Sequence, residues 1–213
     1  MPETYVINGL DKNDYPDLYE ILLKLMNKFK IHKIRVSIKP KLNNAFVFYH
    51  FVVIGEPVIK KLKKNELEAV IAHEFSHIQL RHVLTSFFLS LLFISPFIYF
   101  SITFQPNLTS AIFWIIGLMI LIYGYKVRNW ITFHQEINAD ILAIYHTKDS
   151  KALQNALLKM ELEFLTSKPS FLYSLIINGI VWVIAYIFGF THPKITDRIQ
   201  YINLLNALNE IEL

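Results

Sequence analysis

No cysteine occurs anywhere in the 213 residues. That excludes disulfide frameworks, thiol nucleophiles and every zinc site built from thiolate, so any metal must be held by His, Asp or Glu. Charge is also scarce: 18% of residues are charged against 54% hydrophobic, and mean hydropathy is +0.36. An average soluble domain carries about 25% charged residues, so disorder is excluded and full solubility disfavoured. Cations outnumber anions by only 21 to 17, which suits the cytoplasmic face of a membrane better than a nucleic acid. Residues 1–41 hold no Lys/Arg-led apolar stretch, so no signal peptide is expected. With no G-x-S-x-G, phosphate loop or basic-aromatic stripe, serine hydrolase chemistry and nucleotide or nucleic-acid partners have no support.

Long uncharged runs are what the chain does have. Residues 83–104 hold no charge over 22 positions, and 108–125 none over 18. At about 1.5 Å per residue the first reaches roughly 33 Å, enough for a hydrocarbon core of about 30 Å. Only Gln105-Pro106-Asn107 separates them, so residues 83–104 and 108–127 read as a transmembrane hairpin. Arg81 and His82 flank one outer end, Lys126 and Arg128 the other, and the link carries nothing positive. The positive-inside rule then puts both outer ends in the cytoplasm. A third uncharged window covers residues 171–190.

The remaining segments read as mainly α with a small β-sheet. Leu18, Ile21, Leu22, Leu25, Met26 and Phe29 repeat at helical spacing within residues 14–30. Ile34, Val36 and Ile38 alternate with polar residues as a short strand ended by Pro40, and residues 44–54 suggest one or two more. Asn65 and Glu68 stand at capping-box spacing ahead of the next helix. Residues 130–146 and 150–166 suggest two further helices, and a last one follows Thr196.

That helix after Asn65 carries His73-Glu74-Phe75-Ser76-His77, an H-E-x-x-H pattern. Four residues advance a helix by about 400°, so both imidazoles leave one face a turn apart. This spacing suits one Zn²⁺, with Glu74 beside it as general base. A catalytic zinc needs a third ligand and an open position. Glu136-Ile137-Asn138-Ala139-Asp140 supplies two carboxylates on one helix face, Asp140 being suited to hold an imidazole N–H. His134, about 200° around from Glu136, is expected at the surface.

Residues 67–77 around H-E-x-x-H, then Glu136 to Asp140, then Thr191-His192-Pro193 and Asp197-Arg198-Ile199, together resemble the HtpX-type and CAAX-prenyl-protease-type membrane zinc metallopeptidases. The resemblance runs from about Asn44 to Ile202. It implies a zincin-like body with an inserted transmembrane hairpin, one membrane-embedded domain over residues 1–213. It also implies one Zn²⁺ per chain on His73, His77 and Glu136, with Glu74 as base and Asp140 supporting the site. His192 and Arg198 would lie close by, and Asn44, Ala45 and Phe46 would form a strand that receives substrate. The implied activity is hydrolysis of peptide bonds in membrane or unfolded proteins by a multi-pass enzyme whose active site faces the cytoplasm. Partners would be a protein or peptide substrate and the lipid bilayer.

Three departures from the family pattern stand out. Its members carry an apolar hairpin ahead of the catalytic helix, and residues 1–72 have none; Ser76 stands where Gly is common; His82 replaces an acid or amide. If residues 171–190 crossed the bilayer, His192 and Arg198 would emerge opposite His73, so that window is expected to re-enter or fold against the body. The alternatives are a catalytically silent membrane adaptor with a structural zinc, which has no use for Glu74, and a metal transporter, which wants ionisable residues that the spans lack.

Overall fold

The computed structural model describes residues 5–103, 111–166 and 195–211. Residues 171–190 and His192 lie outside them, as do the hairpin link and residues 104 and 108–110. The described chain divides into two compact units: 5–81, 136–166 and 195–211 in the first, 82–103 and 111–135 in the second. As expected, the described residues are mainly helical with one small sheet.

In the first unit, β1 (Val6–Asn8), β2 (Lys33–Lys39), β3 (Ala45–Phe48) and β4 (Phe51–Gly55) form a sheet of order β1-β2-β4-β3. The pairs β1–β2 and β2–β4 are parallel, and β3–β4 is an antiparallel hairpin with Phe48 opposite Phe51. One edge of the sheet is therefore β3. Its inner face, with Ile34, Val36, Val47, Val52 and Ile54, is buried.

Helix α1 (Pro16–Phe29) buries the six apolar residues of its stripe in the same core. Pro16 opens it, and Lys30 in the left-handed conformation (φ 53°) closes it as the Ile31 N–H bonds the Met26 carbonyl at 2.9 Å. The short α2 (Glu56–Lys61) leads to α3 (Lys64–Gln79). That helix begins before the expected Asn65 cap, and its reciprocal acceptor is Glu66 rather than Glu68: Glu66 Oε2 takes the Lys63 N–H at 2.9 Å. With Lys63 as the cap, Glu66 is the third helical residue and so the one in reach, while Glu68 pairs with Lys24; Lys159 Nζ also lies 2.6 and 2.8 Å from the two Glu66 oxygens. Buried on nearly every side, α3 packs against α1, β3 and α6 (Ser150–Thr166), and α6 against α7 (Ile195–Ile211).

The second unit holds α4 (His82–Thr103) and the first part of α5 (Ala111–Thr147). Both are long and apolar enough to cross a membrane, with only 11% and 17% of their apolar windows buried, unlike core helices. The helix expected over 130–146 is not separate: α5 runs 37 residues without a break, because no proline or turn signal interrupts Lys126 to Thr147. Arg128, one of the charges flanking the hairpin in the sequence, is 2% exposed. It belongs to a polar seam: Ser86 and Ser90 on α4 and Thr132 and Gln135 on α5 are also buried, with Ser86 Oγ 3.2 Å from Gln135 Oε1. Farther along, Gly124 lets the helices close in, since a Cβ there would meet Phe93 Cγ at 2.2 Å.

Candidate metal centre

The centre is built in the first unit from α3, the last turns of α5, and α7. On α3 the four-residue spacing brings His73 and His77 Nε2 within 3.1 Å of each other, with their rings nearly perpendicular at 85°. Small residues make the helix fit so deep: Ala69, Ala72 and Ser76 are fully buried, and Ser76 turns its hydroxyl back to the Ala72 carbonyl at 2.8 Å. From α5, Glu136 places Oε2 3.3 Å from His73 Nε2 and Oε1 3.4 Å from His77 Nε2.

One turn later Asp140 Oδ1 meets His73 Nδ1 at 2.8 Å, which leaves Nε2 facing the other donors. Arg198 reaches in from α7 and grips Asp140 with two N–H groups, at 2.6 Å to Oδ1 and 2.8 Å to Oδ2. Its contact to Glu136 Oε2 is longer, 3.4 Å. Arg198, Asp140 and Glu136 are each at most 3% exposed. Glu74 is also buried, on the same helix as the histidines.

The donors fit a metal ion. His73, His77 and Glu136 each offer one ligand atom, all within 4.8 Å of one another. Ligands about 2.0–2.1 Å from a tetrahedral ion stand roughly 3.3–3.4 Å apart, close to the spacings seen. Charge gives a second fit. Among the described residues the carboxyl groups of Glu74, Glu136 and Asp140 outnumber the Arg198 guanidinium beside them, and a divalent cation would balance the excess.

Burial and Arg198 favour neutral His73, yet Asp140 and Glu136 outweigh them and raise its imidazole to about 9. A cation among the donors would take the place of its Nε2 proton. Burial opposes the charge of Asp140 too, and Arg198 and His73 hold its carboxyl below the usual range. For Arg198, burial is likewise overcome by Asp140, Glu136 and Glu74, so the guanidinium stays charged.

His73, Glu74, His77, Glu136, Asp140 and Arg198 thus belong to one cluster, buried except for the half-buried His77, with His192 outside the described residues. His134 is exposed against Trp130. Asn44, Ala45 and Phe46 lie at the start of the edge strand, but only part of that stretch faces outward. The Gly55 N–H bonds the Asn44 carbonyl at 2.9 Å, and antiparallel pairs alternate, so Phe46 bonds inward to Val53. Ala45 and Val47 point their amides away from β4. The Ala45 N–H is taken by Asn44 Oδ1 at 2.9 Å, which leaves Val47 as the outward donor. Sequence reading missed Val47, because the phase of a ladder is set by the partner strand.

A model of peptidase family M48 matches residues 12–205. The chain is 27% identical over 205 residues to a protein named Protease HtpX homolog from Helicobacter pylori, a match covering 86% of this chain and 64% of that one. To a protein of the same name from Acaryochloris marina it is 29% identical over 217 residues, covering 88% and 71%. A shorter match, 38% over 81 residues, links it to the namesake from Pyrococcus furiosus, covering 35% and 28%. The chain thus spans just under two thirds of the Helicobacter protein's length.

Proposed function

This chain belongs to peptidase family M48, and from that membership we propose that it is a membrane-bound zinc metalloendopeptidase acting on membrane or unfolded proteins. The observation that carries the reading is the convergence of three ligand atoms, on His73, His77 and Glu136, beside a buried Glu74. Zinc held there would supply Lewis acidity, polarising the scissile carbonyl and making a water easier to deprotonate near neutral pH. Glu74 accepts a proton from the water as its oxygen attacks the carbonyl carbon, and passes it to the departing amine nitrogen as the C–N bond breaks. Asp140 fixes the ring of His73, and Arg198 fixes Asp140. Arg198 is therefore a positioning residue, acting through the carboxylates rather than on substrate. His192 is proposed to stabilise the oxyanion.

An extended substrate would add to the open edge of β3, main chain to main chain, which gives affinity with little reading of sequence. We read α4 and α5 as the two spans, with residues 171–190 re-entrant or folded against the body and the zinc site on the cytoplasmic side. The test is metal content and casein cleavage of the purified full chain beside Glu74→Gln. The variant should hold as much zinc as the parent and cleave at least about 100-fold more slowly. A parent that binds zinc and cleaves nothing would favour the silent adaptor; a variant as active as the parent would remove Glu74 from its role.

A further inference from the structure

A sheet with one face on a core and one in water alternates apolar-in, polar-out. Strand β2 obeys, turning Lys33, Arg35, Ser37 and Lys39 outward. Its neighbours do not. On the same face, β4 and β3 present Phe51 (48% exposed), Phe48 (40%) and Phe46 (37%), and the hairpin tip adds Tyr49 at 63%. Register sets these groups side by side: Arg35 pairs with Phe51, and Phe51 with Phe48. The Arg35 guanidinium lies 5.9 Å from the Phe51 ring centre. No outward position on the four strands carries a carboxylate.

An exposed aromatic cluster of this kind marks an interaction surface, and the cations beside it say which kind. We propose that this outer sheet face docks on a bilayer surface bearing anionic headgroups, its phenylalanines and Tyr49 entering the interface and Lys33, Arg35 and Lys39 meeting the phosphates. Aromatic rings favour that depth of the membrane. Each Lys or Arg near an anionic surface strengthens attachment by about fivefold. A second copy stacked face to face would set these cations against their own kind. The proposal rests on the reading of α4 and α5 as spans, since a chain so anchored always has a bilayer surface within reach.

The absence of native cysteine allows a clean test. His50→Cys, at the hairpin tip, carries an environment-sensitive NBD label on the full chain in lipid nanodiscs. Lys12→Cys, exposed elsewhere on the first unit, serves as the control. The label at position 50 should shift to shorter wavelength and be quenched by headgroup nitroxides in discs containing phosphatidylglycerol. It should do so far less in pure phosphatidylcholine, and the control should respond to neither. Reversing Lys33, Arg35 and Lys39 to Glu should abolish the shift, and so should Tyr49→Ser with Phe51→Ser, while cleavage of a short soluble peptide persists. Equal emission in both lipids overturns the proposal. So does a shift that needs casein rather than anionic lipid, or one that follows protein concentration in detergent. A chain that fails to enter discs at all removes the span reading instead, and this inference with it.

Discussion

His73 and Asp140 meet Nδ1 to Oδ1 at 2.8 Å, and Arg198 holds the same carboxylate with two N–H groups. The imidazole is thereby fixed with Nε2 toward Glu136 and His77. Asp140→Asn keeps the shape but can present its amide to the ring, weakening both the tautomer choice and the basicity of Nε2. Zinc affinity, read by competition with a chromophoric chelator, should fall about 10–100-fold. An unchanged affinity would leave Asp140 with only a structural part.

The Glu66–Lys159 pair predicts a pH dependence of stability away from the candidate metal centre. Burial disfavours the Glu66 carboxylate, but Lys159 and the Lys63 N–H outweigh it and lower its pKa. A lowered folded value means the contribution is present above the unfolded value, about 4.3, and is lost as pH falls through the folded one. Glu66→Gln should cost about 1–2 kcal/mol near pH 7, the low end because Lys159 stays partly hydrated. Thermal unfolding in detergent should show the parent and variant converging as the pH drops below 4. A gap of constant size would mean the pair is not the cause.

Much of this was legible because the signals are local. The α1 stripe and the H-E-x-x-H spacing each follow from one helix, and Glu136 and Asp140 from another. What was not legible depends on distant partners. Glu68 and Glu66 look alike until the helix start is fixed at Lys63, two residues earlier than the Asn65 signal, and only the fold brings Lys159 to Glu66 from 93 positions away. Three-residue β1 is too short for a pattern and is defined by pairing with β2. Lys33, Arg35 and Lys39 look like an ordinary polar strand face until register sets Phe51 and Phe48 beside them. Arg128 looked like a flanking charge because linear hydropathy ignores which way a helix turns its residues.

Topology can be read with single cysteines and a membrane-impermeant thiol reagent. Lys63, ahead of α3, and Lys151, early in α6, are exposed. If α4 and α5 cross once each, cysteines at both positions should label from the cytoplasmic side. A cysteine at Ile102, 80% exposed near the end of α4, should label from the other. Labelling of all three from one side would make the helices a surface-lying pair.

The edge strand gives two proline substitutions with opposite expectations. Phe46 donates inward to the ladder with Val53, so Phe46→Pro removes a sheet hydrogen bond and should lower Tm in the absence of any substrate. Val47 points its N–H to the open edge, where a proline costs the sheet no bond. If substrate pairs along that edge, Val47→Pro should raise KM for an extended peptide several-fold with kcat little changed, since a donor to bound peptide is lost while the proposed ligands His73, His77 and Glu136 stay in place. Asn44→Ala should act in the other direction, because it frees the Ala45 N–H for substrate and so lowers KM. A Val47→Pro enzyme with parental KM and a sound fold would mean that substrate reaches the proposed zinc site without using this strand.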